Sequence, residues 1–327
     1  MAQRNQGQVK RIAEFLKANP PKDQPPNFYN VKGKDGQEVI LDSMYPPLDH
    51  PNAVDYFFFA CLHQYGFWYG DSSRYIQPMV GVLGGKELKG SDLLWTLFRR
   101  AFEENLDFFT PRFLSTVSPR ELARIFFNDD VGTQWPNFDQ RFALTRGYGQ
   151  ELYMGTSPAE YVDWANKNTQ PLGQFVNVIS GLIGYSGDPF NRKVMLLAMA
   201  LTNRPEQFLK VKDDGEWHPI VDYHLMRVAL RLGLVNLDDN LKMKDRSTGR
   251  RWVSAAEEET VRREVYFAIE QLIDRSGLTM SAIDVTFWLA RKYCPEMSEP
   301  DCGKCMFNSV CGHHTELFQP VIRTTAY

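Results

Sequence analysis

The chain has 327 residues, 43% hydrophobic and 24% charged, with a formal net charge of −3 and a pI near 6.1. A protein whose main task is to grip duplex DNA usually carries a basic excess, so this balance argues against that class. The start of the chain is polar, and no apolar run approaches the length of a membrane span. We therefore expect a cytoplasmic protein without a membrane segment.

The first 50 residues form an N-terminal extension. We expect a helix over residues 8–18, which the prolines at 20 and 21 end, and a small hairpin over residues 30–41 around a Lys-Asp-Gly turn. The predicted boundaries of the whole chain are 1–50 for this extension, 51–293 for a helical domain and 294–327 for a cysteine-containing loop and tail.

Helical patterns dominate the middle of the chain. Ser118 and Ser157 are each followed by proline and then by glutamate at the third position, a sequence typical of a capped helix start. The predicted helices lie over residues 92–105, 118–128, 157–167, 175–183, 191–201, 223–232, 255–277 and 281–293. The expected fold class is therefore all-α.

The stretch AVDYFFFACLHQYGFWYG, residues 53–70, is dense in aromatic residues. Its composition alone favours a packed core helix or strand. Aromatic rings also sandwich flat ligands such as nucleobases, so a ligand-binding role stays open.

Four of the five cysteines follow the spacing Cys294-x7-Cys302-x2-Cys305-x5-Cys311. A tight group of this kind in an intracellular chain indicates a metal centre more than disulfides. Structural zinc sites usually use paired Cys-x2-Cys knuckles, and only one such pair occurs here. The unequal spacing favours an iron–sulfur cluster, with zinc as the alternative.

This loop resembles the iron–sulfur loop of the endonuclease III type of helix-hairpin-helix DNA glycosylases, which has six residues in its first gap. Residues 220–228 (Ile-Val-Asp-Tyr-His-Leu-Met-Arg-Val) resemble that family's Val-Asp-x-His-x-x-Arg-Val segment. The resemblance implies a helix-hairpin-helix glycosylase fold, a 4Fe-4S cluster on the four cysteines, a catalytic Asp222 and DNA as an alternative partner. Residues 182–187 stand in place of the family's Leu-Pro-Gly-x-Gly turn, without its proline.

A second resemblance is to the queuosine salvage proteins, which are queuosine 5′-phosphate N-glycosylases. It is carried by Ala53-Val54, by residues 64–68, by residues 136–141 and by the basic pair Arg192-Lys193. Val221-Asp222-Tyr223 is similar to the Ala-Asp-Tyr-Arg of that family, so both resemblances imply a catalytic Asp222. This family implies a modified nucleotide as substrate.

Cleavage of an N-glycosidic bond forms an oxocarbenium-like sugar, which a carboxylate stabilises while it orients or deprotonates water. Asp222 is the candidate for this role, although aspartate is also a common helix cap, and the two roles can coexist. Lys193 is a candidate for a Schiff base with the sugar or, with Arg192, for phosphate binding. Two solvated helix charges are the simpler interpretation of that pair.

Four aromatic residues are candidates for stacking on the base, and three polar residues are candidates for contacting its edge or supporting the site. They are Phe58, Phe59, Phe67 and Trp68, with Gln64, Asp139 and His224. The resemblance to the queuosine salvage proteins thus implies an N-glycosidase for a queuosine 5′-phosphate-like nucleotide. The alternatives are a base-excision DNA glycosylase and an inactive relative that binds nucleic acid, and the oligomeric state stays open.

Overall fold

The structure is a computed structural model that describes residues 2–22, 25–32, 38–40, 44–105, 107–211, 216–242 and 249–327. Helices make up 49% of the described residues and strands 8%, which confirms a mostly helical fold with little sheet. Over the described ranges, no helix is both long and apolar enough to cross a membrane.

The elements follow one another as β1 (Ala2–Arg4), α1 (Gln6–Ala18), β2 (Asn30–Lys32), β3 (Glu38–Ile40), α2 (Ala53–Leu62), β4 (Trp68–Gly70), β5 (Tyr75–Pro78), β6 (Val80–Leu83), β7 (Lys86–Lys89), α3 (Gly90–Glu104), α4 (Pro111–Leu114), α5 (Pro119–Phe126), α6 (Phe138–Met154), α7 (Pro158–Asn166), α8 (Pro171–Ile179), α9 (Arg192–Asn203), α10 (Tyr223–Leu232), β8 (Val235–Leu237), α11 (Asp239–Lys242), α12 (Ala255–Ser276) and α13 (Met280–Ala290). Two single-turn 3₁₀ helices, Cys302–Lys304 and Asn308–Val310, lie within the cysteine loop.

The chain divides into two compact units. Unit 1 comprises Met1–Pro25, Tyr69–Gln77 and Trp217–Thr324, and unit 2 comprises Pro26–Trp68, Pro78–Glu216 and Thr325–Tyr327. These units describe packing, so the sequence-based boundaries after residues 50 and 293 stay predictions.

Unit 1 is built around α12, which packs against α1, α10 and α13. The apolar face of α1 is buried through Val9, Ile12, Ala13 and Leu16, the spacing of a helix with one apolar stripe. β1 pairs antiparallel with β8, which joins the start of the chain to the residues after α10. The segment Tyr69–Gln77 is fixed in this unit by backbone bonds, including one of 2.9 Å from Tyr75 N to Arg250 O.

Unit 2 has the aromatic helix α2 at its core. Every residue of α2 except Asp55 is buried, and the helix packs against α3, α7 and α9. The interpretation of this stretch as a core helix is thus confirmed for residues 53–62. Elsewhere in the unit, α4 and α6 approach so closely that a Cβ at Gly149 would lie 2.4 Å from Ser115 N. This crossing therefore requires glycine on α6.

The predicted helix starts at Ser118 and Ser157 are confirmed, because both serines form capping boxes with Glu121 and Glu160. The predicted hairpin is confirmed by the antiparallel pairing of β2 with β3, while its Lys-Asp-Gly turn lies outside the described residues. The helix expected over 175–183 begins earlier, at Pro171, and ends at Ile179. Helix α6 and the strands β4 to β7 were not predicted from the sequence.

Candidate active site and cysteine loop

Asp222 is the N-cap of α10 in unit 1. Its Oδ1 accepts hydrogen bonds from His224 N at 2.8 Å and from Leu225 N at 3.0 Å, and the residue is 6% exposed. The positive end of the helix favours a negative charge at this point. The carbonyl before it, Val221 O, accepts a bond of 3.1 Å from Nε of the buried Arg262 on α12. The carboxylate is thus held by its own helix and by the backbone anchored to α12.

The face of α10 after Asp222 carries two buried arginines that hold the cysteine loop. Arg227 donates from Nε to Cys294 O at 3.1 Å. One turn later, Arg231 donates from Nη1 to Pro295 O at 2.8 Å and to Cys294 Sγ at 3.4 Å. Because both side chains are more than nine-tenths buried, these bonds fix the start of the loop on the helix that Asp222 begins.

The four predicted ligands line the same cavity. One cavity of unit 1, about 410 Å³ including its open mouth, is lined by Cys294, Cys302, Cys305 and Cys311. In the part of the chain that the structure describes, no three His, Cys, Asp or Glu side chains form a group that could hold a metal ion. An iron–sulfur cluster on these four residues therefore stays a prediction.

Hydrogen bonds and burial affect the protonation of the cysteine thiols. His313 N donates to Cys311 Sγ at 3.3 Å, and Arg231 Nη1 donates to Cys294 Sγ at 3.4 Å. Burial raises the pKa of the Cys305 and Cys311 thiols in the metal-free chain. A bound cation would reverse this effect, because metals bind the thiolate form.

Helix α1 closes the far side of the cysteine loop. Gln8 Nε2 donates to Leu232 O at 2.7 Å and to Val310 O at 2.6 Å, and thus joins the end of α10 to the loop. Phe307 of the loop lies between the rings of Phe15 and Phe287, at centroid distances of 6.2 and 5.5 Å. The loop is therefore packed on three helices of unit 1.

The aromatic candidates of unit 2 lie at different depths. Phe58 packs against Phe175 at a centroid distance of 5.9 Å, and Phe59 stacks on Phe98 at 5.2 Å, both within the core. Phe67 and Trp68, after α2, are 5% and 6% exposed. Asp139, by contrast, is exposed in the first turn of α6.

Three buried cations hold the segment that follows α2. Arg141 of α6 donates to His63 O at 2.9 Å and to Tyr65 O, and Arg192 of α9 donates to Gln64 O at 2.8 Å. Lys193 Nζ donates to Leu62 O at 3.2 Å and to Gly184 O. The basic pair therefore lies in the interior of unit 2, and the interpretation as two solvated helix charges is wrong.

Three consecutive side chains in this segment carry buried polar atoms. Gln64 Oε1 accepts a bond of 2.7 Å from Ser91, but Gln64 Nε2 has no partner among the described residues. The same is true of His63 Nδ1 and Tyr65 Oη. A buried polar atom without a partner is costly, so these atoms are places where water or a ligand would bind.

The residues between α8 and α9 include the turn, residues 182–187, that stands in place of the Leu-Pro-Gly-x-Gly turn of the DNA glycosylases. Gly184 and Gly187 have φ angles of +83° and +84°, which suit glycine. A Cβ at Gly184 would lie 2.1 Å from Leu62 Cδ1, so the turn packs tightly on α2. Its place in a glycosylase fold and its binding of DNA stay predictions.

Several residues that shape these regions were not found from the sequence. The anchoring roles of Arg141 and Arg231 were not predicted, because their partners are far away along the chain. Glu296, whose carboxylate accepts a hydrogen bond from the distant Tyr75 hydroxyl, has no local motif. Arg141 could have been suspected as the last residue of the compared 136–141 segment, although nothing in that segment indicated burial.

The comparisons with known proteins concern mainly unit 2. Residues 44–181 match a family model described as queuosine salvage protein. The matched region runs from before α2 to the end of α8 and contains Gln64, Phe67 and Asp139, but it ends before Lys193 and Asp222. No curated protein matches the chain.

Proposed function

We propose that this protein belongs to the queuosine salvage family and is an N-glycosidase. It would hydrolyse the base–sugar bond of a free modified nucleotide of the queuosine 5′-phosphate kind. The observation that carries the proposal is the match of residues 44–181 to the queuosine salvage family model. The acidic net charge of −3 supports a small nucleotide over duplex DNA as the substrate.

In this proposal Asp222 stabilises the oxocarbenium-like sugar and orients or deprotonates the attacking water. Its capping bonds support the role, because a carboxylate whose Oδ1 is held by two backbone N–H groups needs little reorganisation during the reaction. The roles of Gln64, Arg192 and Lys193, which belong to unit 2, stay predictions from the family resemblance.

We further propose that Cys294, Cys302, Cys305 and Cys311 hold a 4Fe-4S cluster. Their position around one cavity and the N–H···S bonds to Cys294 and Cys311 support this ligand set. A cluster bound there would supply a structural cross-link between the loop and the rest of unit 1. A base-excision DNA glycosylase is the second candidate, because this loop is anchored on the Asp-x-His-x-x-Arg segment of α10.

The test is to incubate the purified protein with queuosine 5′-phosphate and, in parallel, with DNA duplexes that contain uracil or an oxidised base. The released base is identified by mass spectrometry. We expect free queuine from the nucleotide alone. Base release from DNA alone would replace the proposal with the repair glycosylase.

The matched variants are Asp222→Asn and Asp274→Asn. Asparagine caps a helix about as well as aspartate, so Asp222→Asn should fold normally while its rate of base release falls by about 100-fold or more. Asp274 is exposed on α12, and its variant should keep the wild-type rate. A fully active Asp222→Asn variant would remove Asp222 from the mechanism.

A further inference from the structure

Gln64 is a buried amide of unit 2 that has a hydrogen-bond partner at only one of its two ends. The residue is 2% exposed and follows the last residue of α2 by two positions. Its Oε1 accepts a hydrogen bond of 2.7 Å from Ser91 Oγ, whereas its Nε2 has no partner among the described residues. A buried N–H donor without a partner is costly, so this atom indicates a place for a hydrogen-bond acceptor.

The backbone that carries this amide is fixed. Arg192 Nη1 donates to Gln64 O at 2.8 Å, and Arg141 donates to the carbonyl oxygens on both sides, His63 O and Tyr65 O. The two arginines are 8% and 0% exposed. Because three consecutive carbonyls are held in this way, the side chain of Gln64 has little freedom to turn toward another partner.

Ser91 determines which end of the amide stays without a partner. It is the second residue of α3, and the N-terminus of a helix carries a partial positive charge. That charge favours the amide oxygen beside Ser91, and the serine hydroxyl donates its proton to this oxygen. A reversed amide would turn its NH₂ group toward the positive end of the helix and would leave its buried oxygen without that bond. Nε2 is therefore the end that a ligand meets.

Phe67, the predicted stacking residue, lies at the same helix start. A Cβ at Gly90, the residue before Ser91, would lie 2.6 Å from Phe67 Cβ and 2.9 Å from Phe67 Cγ. The aromatic residue and the amide of Gln64 thus contact adjacent residues of α3. Ser91 is partly exposed, so solvent reaches this turn. An aromatic ring beside one fixed N–H donor suits a flat ligand that offers an acceptor atom.

We propose that Gln64 is a specificity-determining residue whose Nε2 donates to a carbonyl oxygen of a flat base, and that Ser91 is the positioning residue that keeps this end of the amide a donor. The proposal rests on the proposed function, because that function makes the ligand a base. It selects a base with a carbonyl group at this edge. An amino group there is rejected, because two donors would face each other without an acceptor.

The test compares two free bases that differ at this group, 7-deazahypoxanthine with a carbonyl oxygen and 7-deazaadenine with an amino group. Calorimetry measures the dissociation constant of each base with the full-length protein. We expect the carbonyl base to bind the wild-type protein about 10-fold or more tightly, because a buried donor left unpaired lowers affinity. Equal affinities, tighter binding of the amino base or binding of neither base would overturn the proposal.

Gln64→Glu and Gln140→Glu are the matched pair for this measurement. A carboxylate at position 64 accepts hydrogen bonds and does not donate them, so the preference for the carbonyl base should be lost. Gln140 is exposed on α6 of the same unit, and its variant should keep the wild-type ratio of the two dissociation constants. An unchanged ratio in Gln64→Glu would overturn the role of Gln64.

Ser91→Ala and Ser91→Thr test the positioning role without changing Gln64. Without the hydroxyl the amide can reverse and accept from an amino group, so the preference for the carbonyl base should fall by about 3-fold or more in Ser91→Ala. Threonine keeps the hydroxyl and should restore the preference. A purely structural role of Ser91 would weaken both bases equally, so an unchanged ratio in Ser91→Ala would overturn the positioning role. Thermal unfolding checks that each variant is folded.

Release of queuine from queuosine 5′-phosphate is measured separately and distinguishes this proposal from the proposed function. A wild-type protein that prefers the carbonyl base but releases no queuine would refute the hydrolase and leave the base site standing. A wild-type protein that releases queuine, with an unchanged ratio in Gln64→Glu, would refute the base site and leave the hydrolase standing.

Discussion

Lys193 shows how a single buried charge makes stability depend on pH. Burial, and after it the neighbouring Arg192, lowers the pKa of Lys193 from 10.5 to about 7. Between these two values the unfolded chain binds the proton more fully than the folded chain does. The contribution of Lys193 to stability therefore rises with pH across this window.

Relative to Lys193→Met, we thus expect the wild-type protein to gain roughly 2 kcal/mol of unfolding free energy between pH 7 and pH 9. Urea unfolding of both proteins at several pH values measures the difference. Lys167→Met, at an exposed position in the same unit, is the control and should follow the wild-type protein at each pH. A pH-independent difference between Lys193→Met and wild type would mean that Lys193 keeps an ordinary pKa.

For single residues, the sequence could indicate candidates for catalysis and binding, but not the hydrogen bonds and packing that fix their side chains. Asp222 was recognisable because its neighbours form a local motif and because aspartate suits a helix start. The partners of Glu296 were not recognisable, since Tyr75 lies 221 residues away and meets it only in the folded chain. Likewise, residue type alone could not indicate that Lys193 is buried.

Among the helices, the crossing of α4 and α6 gives the sharpest prediction. At Gly149 a new Cβ would lie 2.4 Å from Ser115 N and 2.5 Å from Leu114 C, which are backbone atoms with little room to move. We expect Gly149→Ala to destabilise the protein by about 2–3 kcal/mol through overpacking. Chemical denaturation measures the change.

Gly147, two residues earlier on α6, is the control. Its new Cβ would lie 3.2 Å from Cγ2 of Ile183, an exposed side chain that can shift. Since alanine also favours a helix over glycine by about 1 kcal/mol, Gly147→Ala should be nearly neutral or slightly stabilising. Equal losses in the two variants would show that the close crossing does not set the cost.

The helix predictions were accurate where the sequence has a clear cap and a clear apolar period. Helices with a serine cap and an apolar stripe were found near their true starts. Helix α6 was missed because its buried face consists largely of polar residues and glycine, among them Arg141, Thr145 and Gly149, so it has no clear apolar period. Its 17 residues become a helix because tertiary packing overrides weak propensity.

For the whole molecule, the cysteine loop gives the main prediction. If the four cysteines hold the proposed 4Fe-4S cluster, Cys305→Ser should lose most of the roughly four iron atoms per chain, and with them the absorbance at about 400 nm, because such a cluster needs four thiolates. It should also unfold at a lower temperature, since metal binding stabilises the folded chain. Iron analysis and thermal unfolding measure the two effects.

Cys61→Ala is the matched control for that experiment. Cys61 is buried in α2 of unit 2, away from the loop sequence, so its loss should leave the iron content unchanged. Full iron in Cys305→Ser would remove Cys305 from the ligands. Zinc in place of iron in the purified wild-type protein would replace the cluster with a zinc site.

The assembly of unit 1 from three separate stretches is what the sequence reveals least. Each stretch has its own helical or turn pattern, but no local pattern records that Tyr69–Gln77 pairs with residues near position 250. Hydrophobic periodicity reveals only the secondary structure of neighbouring residues. Packing in unit 1 brings together residues about 180 positions apart, as in the hydrogen bond from Trp252 Nε1 to Asp71 O. The mostly helical class was therefore predictable, while the units were not.

The bond from Gln8 to Val310 spans 302 positions, which has a consequence for biosynthesis. The ribosome makes α1 about 300 residues before the end of the cysteine loop, so the helix emerges long before the surface it covers exists. Its apolar residues Val9, Ile12 and Leu16 stay without that surface while all the intervening residues are translated. Folding of unit 1, and delivery of any iron to it, therefore wait until the cysteine loop has been made.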